Sequence, residues 1–149
     1  MYIEYLKKIR NQAQLYGDEM QLPCTISQIE DLNERVMLHL RTIVPRAYSD
    51  FLMLHNGLDW NGLVIYASEP TPIIGYSDRL INGFVEANVL RRETNDREEL
   101  LILGDSGDED YCYDVQQSRF VIVDSISIDV LESFRTFDEL MVEALKHRM

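Results

Sequence analysis

The chain changes its hydrophobic period near Gly57, and this change restricts the folds open to it. Before that point, apolar residues recur at steps of three and four, the spacing of an amphipathic helix. After it, short apolar runs separated by Gly, Asn, Asp and Ser favour strands. Near the end of the chain the helical period returns. This order predicts an α+β domain with a central antiparallel-rich sheet and helices packed on it.

Three helices are predicted before the change of period. The first carries an apolar stripe over residues 2–16 and ends at Gly17, and the second follows two overlapping capping boxes in "TISQIE". The third begins at Pro45, whose fixed φ suits a first helical turn, and ends at the Asn56–Gly57 pair. These helices account for most of residues 1–57.

The second part of the chain favours strands with one helix among them. Asn61 and Gly62 predict a two-residue hairpin turn, and the prolines of "EPTPI" predict an irregular loop. A helix is predicted from Ser77 to about Arg92, although Gly83 lies inside it. The segments "ELLILG", "DYCYDV" and "RFVIVDSISI" predict an antiparallel meander.

The closing helix is predicted from about Phe137. Thr136 and Glu139 form a capping box, and the apolar residues that follow have the spacing i, i+3, i+4, i+7, i+8. With 149 residues and 46% hydrophobic content, the chain is long enough for one ordinary core, and we expect a single domain.

The charge is strongly acidic and unevenly distributed. The formal net charge is -12; residues 1–92 hold 9 Lys/Arg and 11 Asp/Glu, whereas residues 93–149 hold 5 and 15. Such a balance argues against nucleic-acid binding and favours cationic partners. It also keeps a protein soluble, so charge alone specifies no partner.

The cysteine pattern and the hydropathy predict a cytoplasmic protein. Cys24 and Cys112 form no CxxC motif, and in a chain of this size we expect free thiols in a reducing compartment, with a disulfide as the alternative. The N-terminal segment lacks the apolar block of a secretory signal, and no apolar stretch approaches the roughly 20 residues that span a bilayer. No membrane association is expected.

The tetrapeptide GDSG at residues 104–107 also surrounds the nucleophilic serine of trypsin-like proteases. That chemistry needs an upstream histidine and aspartate on two β-barrels, which this length does not supply. His39 and His55 both fall on predicted helices, and the order of motifs in other GDS-type serine hydrolases also differs. We predict that Ser106 is a turn residue and that the protein has no catalytic set.

A metal loop is a second interpretation of the same segment. Four aspartates of residues 105–114 offer oxygen ligands, but the glycine is third rather than sixth and strands flank the loop, unlike an EF-hand. A solvated hairpin tip explains the same residues, and calcium binding stays open as the alternative. The scattered His and Cys residues match no zinc spacing, and no phosphate-binding GxxxxGK loop is present. We therefore expect neither a metal nor a cofactor.

An ordered series of segments resembles the SUKH superfamily. It runs "ISQIEDLNERV", "VPRAYSDFLMLHNG", "GLVIYA", "LLILGDSGDEDYCYD", "VIVD", "LESFRTFDELMVEAL" and covers roughly residues 25–145. The matching positions are structural ones: Pro45, Tyr48, Phe51, Leu52, Asn56, Gly57, Gly104, Asp105, Gly107, Phe134 and Phe137. The resemblance implies one SUKH-like domain over residues 1–149, with residues 1–24 as an N-terminal helical extension.

The resemblance also implies a binding module rather than an enzyme, because many bacterial members resemble immunity proteins that neutralise toxins, often nucleases. We therefore expect a cognate, basic toxin domain as the partner, met in the cytoplasm. A regulatory or scaffold protein of the SUKH type is the alternative, and a small hydrolase or calcium sensor using residues 104–114 is another. The predicted partner-binding residues are Asp105, Asp108, Glu109 and Asp110, with Asp59 and Trp60 as weaker candidates.

Overall fold

The structure, a computed structural model, describes residues 1–149 and confirms the α+β class. Its five helices are α1 (Tyr2–Leu15), α2 (Ile26–Leu40), α3 (Arg46–Leu52), α4 (Phe84–Thr94) and α5 (Phe137–Lys146). Its eight strands are β1 (Leu58–Trp60), β2 (Leu63–Ile65), β3 (Thr71–Ile73), β4 (Tyr76–Ile81), β5 (Leu100–Asp105), β6 (Glu109–Asp114), β7 (Arg119–Asp124) and β8 (Val130–Phe134).

Six of the strands form one antiparallel sheet in the order β1-β2-β5-β6-β7-β8. The last four are the predicted meander, in which each strand pairs with the next one along the chain. The predicted hairpin turn at Asn61 and Gly62 joins β1 to β2, and both residues have positive φ, as a type I′ turn requires. Strands β3 and β4 form a separate two-stranded sheet.

Helices cover both sides of the large sheet. Arg91 of α4 pairs with Asp110, which lies on the same side of β6 as Cys112, so α4 covers that side. Asn88 of α4 also donates to the carbonyl of Ile102 and accepts from its main-chain amide, at 2.8–2.9 Å. On the other side, the ring of Phe137 in α5 lies 5.9 Å from that of Phe120 in β7. Adjacent residues of a strand point to opposite sides of the sheet, so the two helices pack on different side chains of the same strands.

One cluster of 31 buried residues joins the helices to the sheet. It includes Leu6 and Ile9 of α1, so the predicted N-terminal extension contributes to the same core as the sheet. Both cysteines are buried and neither forms a disulfide. The three aromatic rings of Tyr2, Phe51 and Phe137 meet at centroid distances of 5.6–6.2 Å, which ties the first and last helices together.

The predicted helix from Ser77 to Arg92 is wrong in its first part. Residues 77–81 belong to β4, and the helix begins only at Phe84, after Gly83. Gly83 is required by a close approach of the chain: a Cβ there would lie 2.8 Å from Cδ of Pro70 and 2.2 Å from a Glu86 oxygen. The glycine therefore marks the start of the helix rather than a weak point inside it.

Two smaller expectations also need correction. The predicted irregular loop around residues 70–72 contains β3, whose register shifts between Pro72 and Ile73, as expected for a proline on an edge strand. Helix α3 ends at Leu52, four residues before the predicted stop. Gly57 still takes the predicted positive φ, but it does so at the entry to β1.

Candidate functional site

Two neighbouring turns at one end of the six-stranded sheet carry five carboxylates between them. The β5–β6 turn carries Asp105, Asp108 and Glu109, and the β7–β8 turn carries Asp124 and Asp129. Glu109 is the register partner of Asp124, so the two turns lie side by side. We call these five residues the acidic sheet end.

Hydrogen bonds from the backbone and from one serine hold the two turns together. The amide of Ser125 donates to the carbonyl of Asp108, and its hydroxyl donates to the carbonyl of Gly107, both at 2.9 Å. Within the first turn, the amide of Ser106 donates to the carbonyl of Glu109 at 2.9 Å. The carboxylates of Asp108 and Glu109 accept no bond from the neighbouring turn, and that of Glu109 accepts only from the hydroxyl of Tyr111, at 3.4 Å.

The second turn is organised by Asp124. One of its carboxylate oxygens accepts from the amides of Ile126 and Ser127, each at 2.9 Å, and its own amide donates to the carbonyl of Asp129 at 2.9 Å. These backbone donors lower the pKa of the Asp124 carboxyl below its ordinary value. Asp124 is therefore ionised throughout the neutral range.

Asp105 is fixed from inside the protein. The hydroxyl of Tyr66 donates to one of its carboxylate oxygens, and the amide of Gly107 donates to the other at 3.3 Å. Burial, followed by this hydrogen bond, raises the pKa of Tyr66 far above its ordinary value. The phenol thus remains a hydrogen-bond donor to Asp105 at any physiological pH.

The structure places Asp110 differently from the other predicted residues. Its side chain is 1% exposed and forms a two-pronged ion pair with Arg91 of α4, in which Nη2 donates to Oδ1 at 2.9 Å and Nη1 donates to Oδ2. Burial raises the pKa of Asp110 above its ordinary value, although Arg91 opposes this effect. Asp110 therefore joins α4 to the sheet and offers no surface for direct contact with a partner.

Asp59 and Trp60 lie on β1, at the opposite edge of the sheet. Asp59 pairs in register with Val64, which pairs with Asp105, so two strand spacings of roughly 5 Å each separate the two aspartates. Arg79 forms a salt bridge with Asp59 at 3.1 Å, and the indole of Trp60 donates to a main-chain carbonyl near the C-terminus, that of Arg148, at 3.0 Å. Asp59 therefore lies in the same row of the sheet as Asp105, about 10 Å away. Unlike the carboxylates of the acidic sheet end, its carboxylate is already paired with a cation, Arg79.

Ser106 lies in the β5–β6 turn without a catalytic partner beside it. Its hydroxyl forms no hydrogen bond with a histidine, and the nearest upstream candidate, His55, instead contacts the carbonyl of Gln21 at 2.7 Å and the guanidinium of Arg10 at 3.3 Å. No three His, Cys, Asp or Glu side chains are placed to bind one metal ion. Calcium binding by this loop stays the alternative. That Ser106 is not a nucleophile stays a prediction.

The predicted site residues do not include the β7–β8 turn. The sequence predicts only that "RFVIVDSISI" is a β-rich segment. In the structure the strand ends at Asp124, and Ile128 takes a positive φ of 61°. The Asp-Ser pair after an apolar run was the available signal, since both side chains favour turns.

Comparisons with protein-family models and with curated proteins found no match to this chain. The resemblance to the SUKH superfamily therefore stays a prediction. None of the five helices has the length and apolar character needed to cross a membrane.

Proposed function

We propose that this protein is a cytoplasmic immunity protein that binds and neutralises a basic toxin domain, such as a nuclease. The acidic sheet end is the observation that carries the proposal. None of its five carboxylates takes part in a salt bridge, although the chain contains seven such contacts elsewhere. The charge of the acidic sheet end is therefore not neutralised within the chain.

The electrostatics of nucleases explain why such a surface would inhibit them. A nuclease presents a basic groove to its polyanionic substrate, and a protein that concentrates carboxylates on a fixed scaffold competes for the same groove. Attraction between the two fields also speeds their encounter, by a factor of about 10 to 1,000 for strongly charged pairs. A net charge of -12 on 149 residues adds to this attraction.

The scaffold supports the proposal because it limits the entropy lost on binding. Asp105 is held by Tyr66, and Asp124 is held by two backbone amides, so these carboxylates are oriented before a partner arrives. Asp108 and Asp129 are exposed and free to adjust to the partner's cations. The resemblance to a superfamily rich in toxin-immunity proteins points in the same direction.

The test begins with the genes that flank the gene for this chain: a neighbouring toxin gene supports the proposal, and its absence favours the regulatory alternative. Association kinetics are then measured with the encoded toxin domain at several salt concentrations. The variant Asp108→Asn/Glu109→Gln/Asp129→Asn removes three charges from the acidic sheet end. The control Glu30→Gln/Glu34→Gln/Asp50→Asn removes three exposed charges from α2 and α3. Both variants carry the same net charge, so a difference between them reports the location of the charge.

We expect the first variant to associate about tenfold more slowly than the control at low salt and to show a weaker salt dependence. Its melting temperature should match that of the control, because backbone bonds hold the turns. Equal association rates for the two variants would show that the acidic sheet end is not the binding surface.

A further inference from the structure

Strand β8 is an open edge of the six-stranded sheet. It pairs with β7 through Phe134, Ser133, Glu132 and Val130, and no strand lies on its other side. No side chain donates to or accepts from the backbone of residues 130–134. One row of its amides and carbonyls is therefore free for another strand.

This edge lacks most of the features that prevent an edge strand from pairing with another chain. Natural sheets cover their edges or place Lys and Pro on them, whereas β8 reads "VLESF" and has only a register shift and one glutamate. Val130 and Leu131 are 51% and 54% exposed, and Ile126 in the preceding turn is 92% exposed. These three exposed aliphatic side chains lie within six residues at the free edge, and an added strand would reduce the exposure of those on β8.

The opposite edge of the sheet is different. Strand β1 has only three residues, and the C-terminal segment covers the turn that follows it. The indole of Trp60 and the side-chain amide of Asn61 both donate to the carbonyl of Arg148. Arg79 is also paired with Asp59 on this strand. Of the two edges, β8 is the one that is long and open.

The charges around β8 determine which kind of strand would fit. The edge begins directly after Asp129 of the acidic sheet end and carries Glu132 near its centre, and Arg135 follows it. Lys146, whose charge also acts on Glu132, is paired with Glu143. In the register that pairs all five residues with a second copy of this chain, Glu132 would face its own counterpart, and like charges placed opposite each other are destabilising. A strand with basic residues would instead pair with Glu132 and continue onto Asp129.

We propose that the free edge of β8 binds an extended, basic strand of the partner protein, which adds to the sheet in antiparallel register. This inference rests on the proposed function, because it assumes a basic partner. It extends the binding surface from the acidic sheet end along β8, so that main-chain hydrogen bonds supplement charge attraction.

The first experiment uses peptides in place of the partner and therefore does not depend on the toxin. The probe is a blocked hexapeptide in which lysine and valine alternate, added to the full chain. Two control peptides replace every lysine by glutamate or every valine by proline; the second keeps the charge but cannot form a ladder. Amide hydrogen exchange resolved to single residues locates the binding site.

We expect the lysine-valine peptide to slow exchange in residues 130–134. At a peptide concentration about ten times the Kd, mass action slows exchange through the free form about tenfold. The control peptides should leave β8 exchange unchanged. Leu131→Lys should abolish the effect, whereas Leu38→Lys, at an exposed position of α2, should preserve it with the same melting temperature.

Three results would overturn the inference. The first is protection confined to residues 105–109 and 124–129, which would leave the proposed function intact and remove β8 from it. The second is the absence of any protection by the lysine-valine peptide. The third is a dimer in sedimentation experiments that Leu131→Lys converts to a monomer, which would identify a second copy of the chain as the occupant.

Discussion

The ion pair between Arg91 and Asp110 allows a quantitative test of how α4 is attached to the sheet. The variant Arg91→Ala leaves a carboxylate that is 1% exposed without its cation, and such a change costs about 3 to 5 kcal/mol of the free energy of unfolding. Arg91 itself is 28% exposed, so Asp110 is the main buried group that its removal leaves without a partner. The cost therefore depends mainly on the charge state of Asp110.

Protonation of Asp110 limits the part of this cost that comes from the uncompensated charge. A carboxyl with an ordinary pKa of about 3.9 in the unfolded chain can be neutralised at pH 7 for about 4 kcal/mol, since each pH unit is worth about 1.4 kcal/mol. At pH 5 the same neutralisation costs only about 1.5 kcal/mol. We expect Arg91→Ala to destabilise the protein by about 3 to 4 kcal/mol at pH 7 and by up to about 2.7 kcal/mol less at pH 5.

The direction of this pH dependence follows from the pKa of Asp110. Burial already raises this pKa in the folded protein, and removal of Arg91 raises it further. Below the unfolded-state value both states are protonated, so the stability contributed by the neutral carboxyl is fully present there. That contribution is lost as the pH rises through the raised pKa.

Urea unfolding at the two pH values measures the effect. The control Arg79→Ala removes a cation from an exposed pair with Asp59 and should cost less than about 1 kcal/mol at either pH. The double variant Arg91→Ala/Asp110→Asn should lose most of the pH dependence of the single one. A loss below about 1 kcal/mol for Arg91→Ala at pH 7, or equal losses at both pH values, would refute the argument.

Two further predictions concern single residues. Asn88→Ala should cost about 1 to 3 kcal/mol in the free energy of unfolding, because it leaves the amide and carbonyl of Ile102 without partners, whereas Asn33→Ala at an exposed position of α2 should cost less than about 0.5 kcal/mol. An equal cost for both would contradict the role of Asn88. Ser106→Ala should change stability and partner binding by less than about 0.5 kcal/mol. Stoichiometric labelling of Ser106 by a fluorophosphonate probe, with an activity lost on mutation, would show that it is a nucleophile.

The elements with strong local signals were predictable from the sequence. Thr25 and Gln28 form the reciprocal capping box expected before α2, and Thr136 accepts from the amide of Glu139 at the start of α5. The Asn61–Gly62 turn also follows from local chemistry, because both residues tolerate positive φ. In each case the residues that determine the structure are within four positions of one another.

The parts that failed depend on contacts between distant residues. Gly83 starts a helix because Pro70 lies against it, and nothing near Gly83 in the sequence shows this. In the sequence nothing distinguishes Asp110 from its acidic neighbours, because its ion-pair partner, Arg91, lies nineteen residues earlier. The acidic sheet end likewise requires the register of β6 with β7, which brings Asp124 next to Glu109. The composition shows that the C-terminal part is acidic, but only the pairing of the strands shows that the β5–β6 and β7–β8 turns lie side by side.

The bonding of the two turns has a consequence for how this surface could evolve. Their mutual contacts use the carbonyls of Gly107 and Asp108, and a main-chain carbonyl is present whatever the side chain. The side chains of Asp108 and Asp129 make no hydrogen bond within the chain, whereas those of Asp105 and Asp124 do. Substitutions at positions 108 and 129 should therefore be tolerated by the fold one at a time. If the proposed function holds, the side chains of these turns can change with the partner while their main-chain atoms keep the structure.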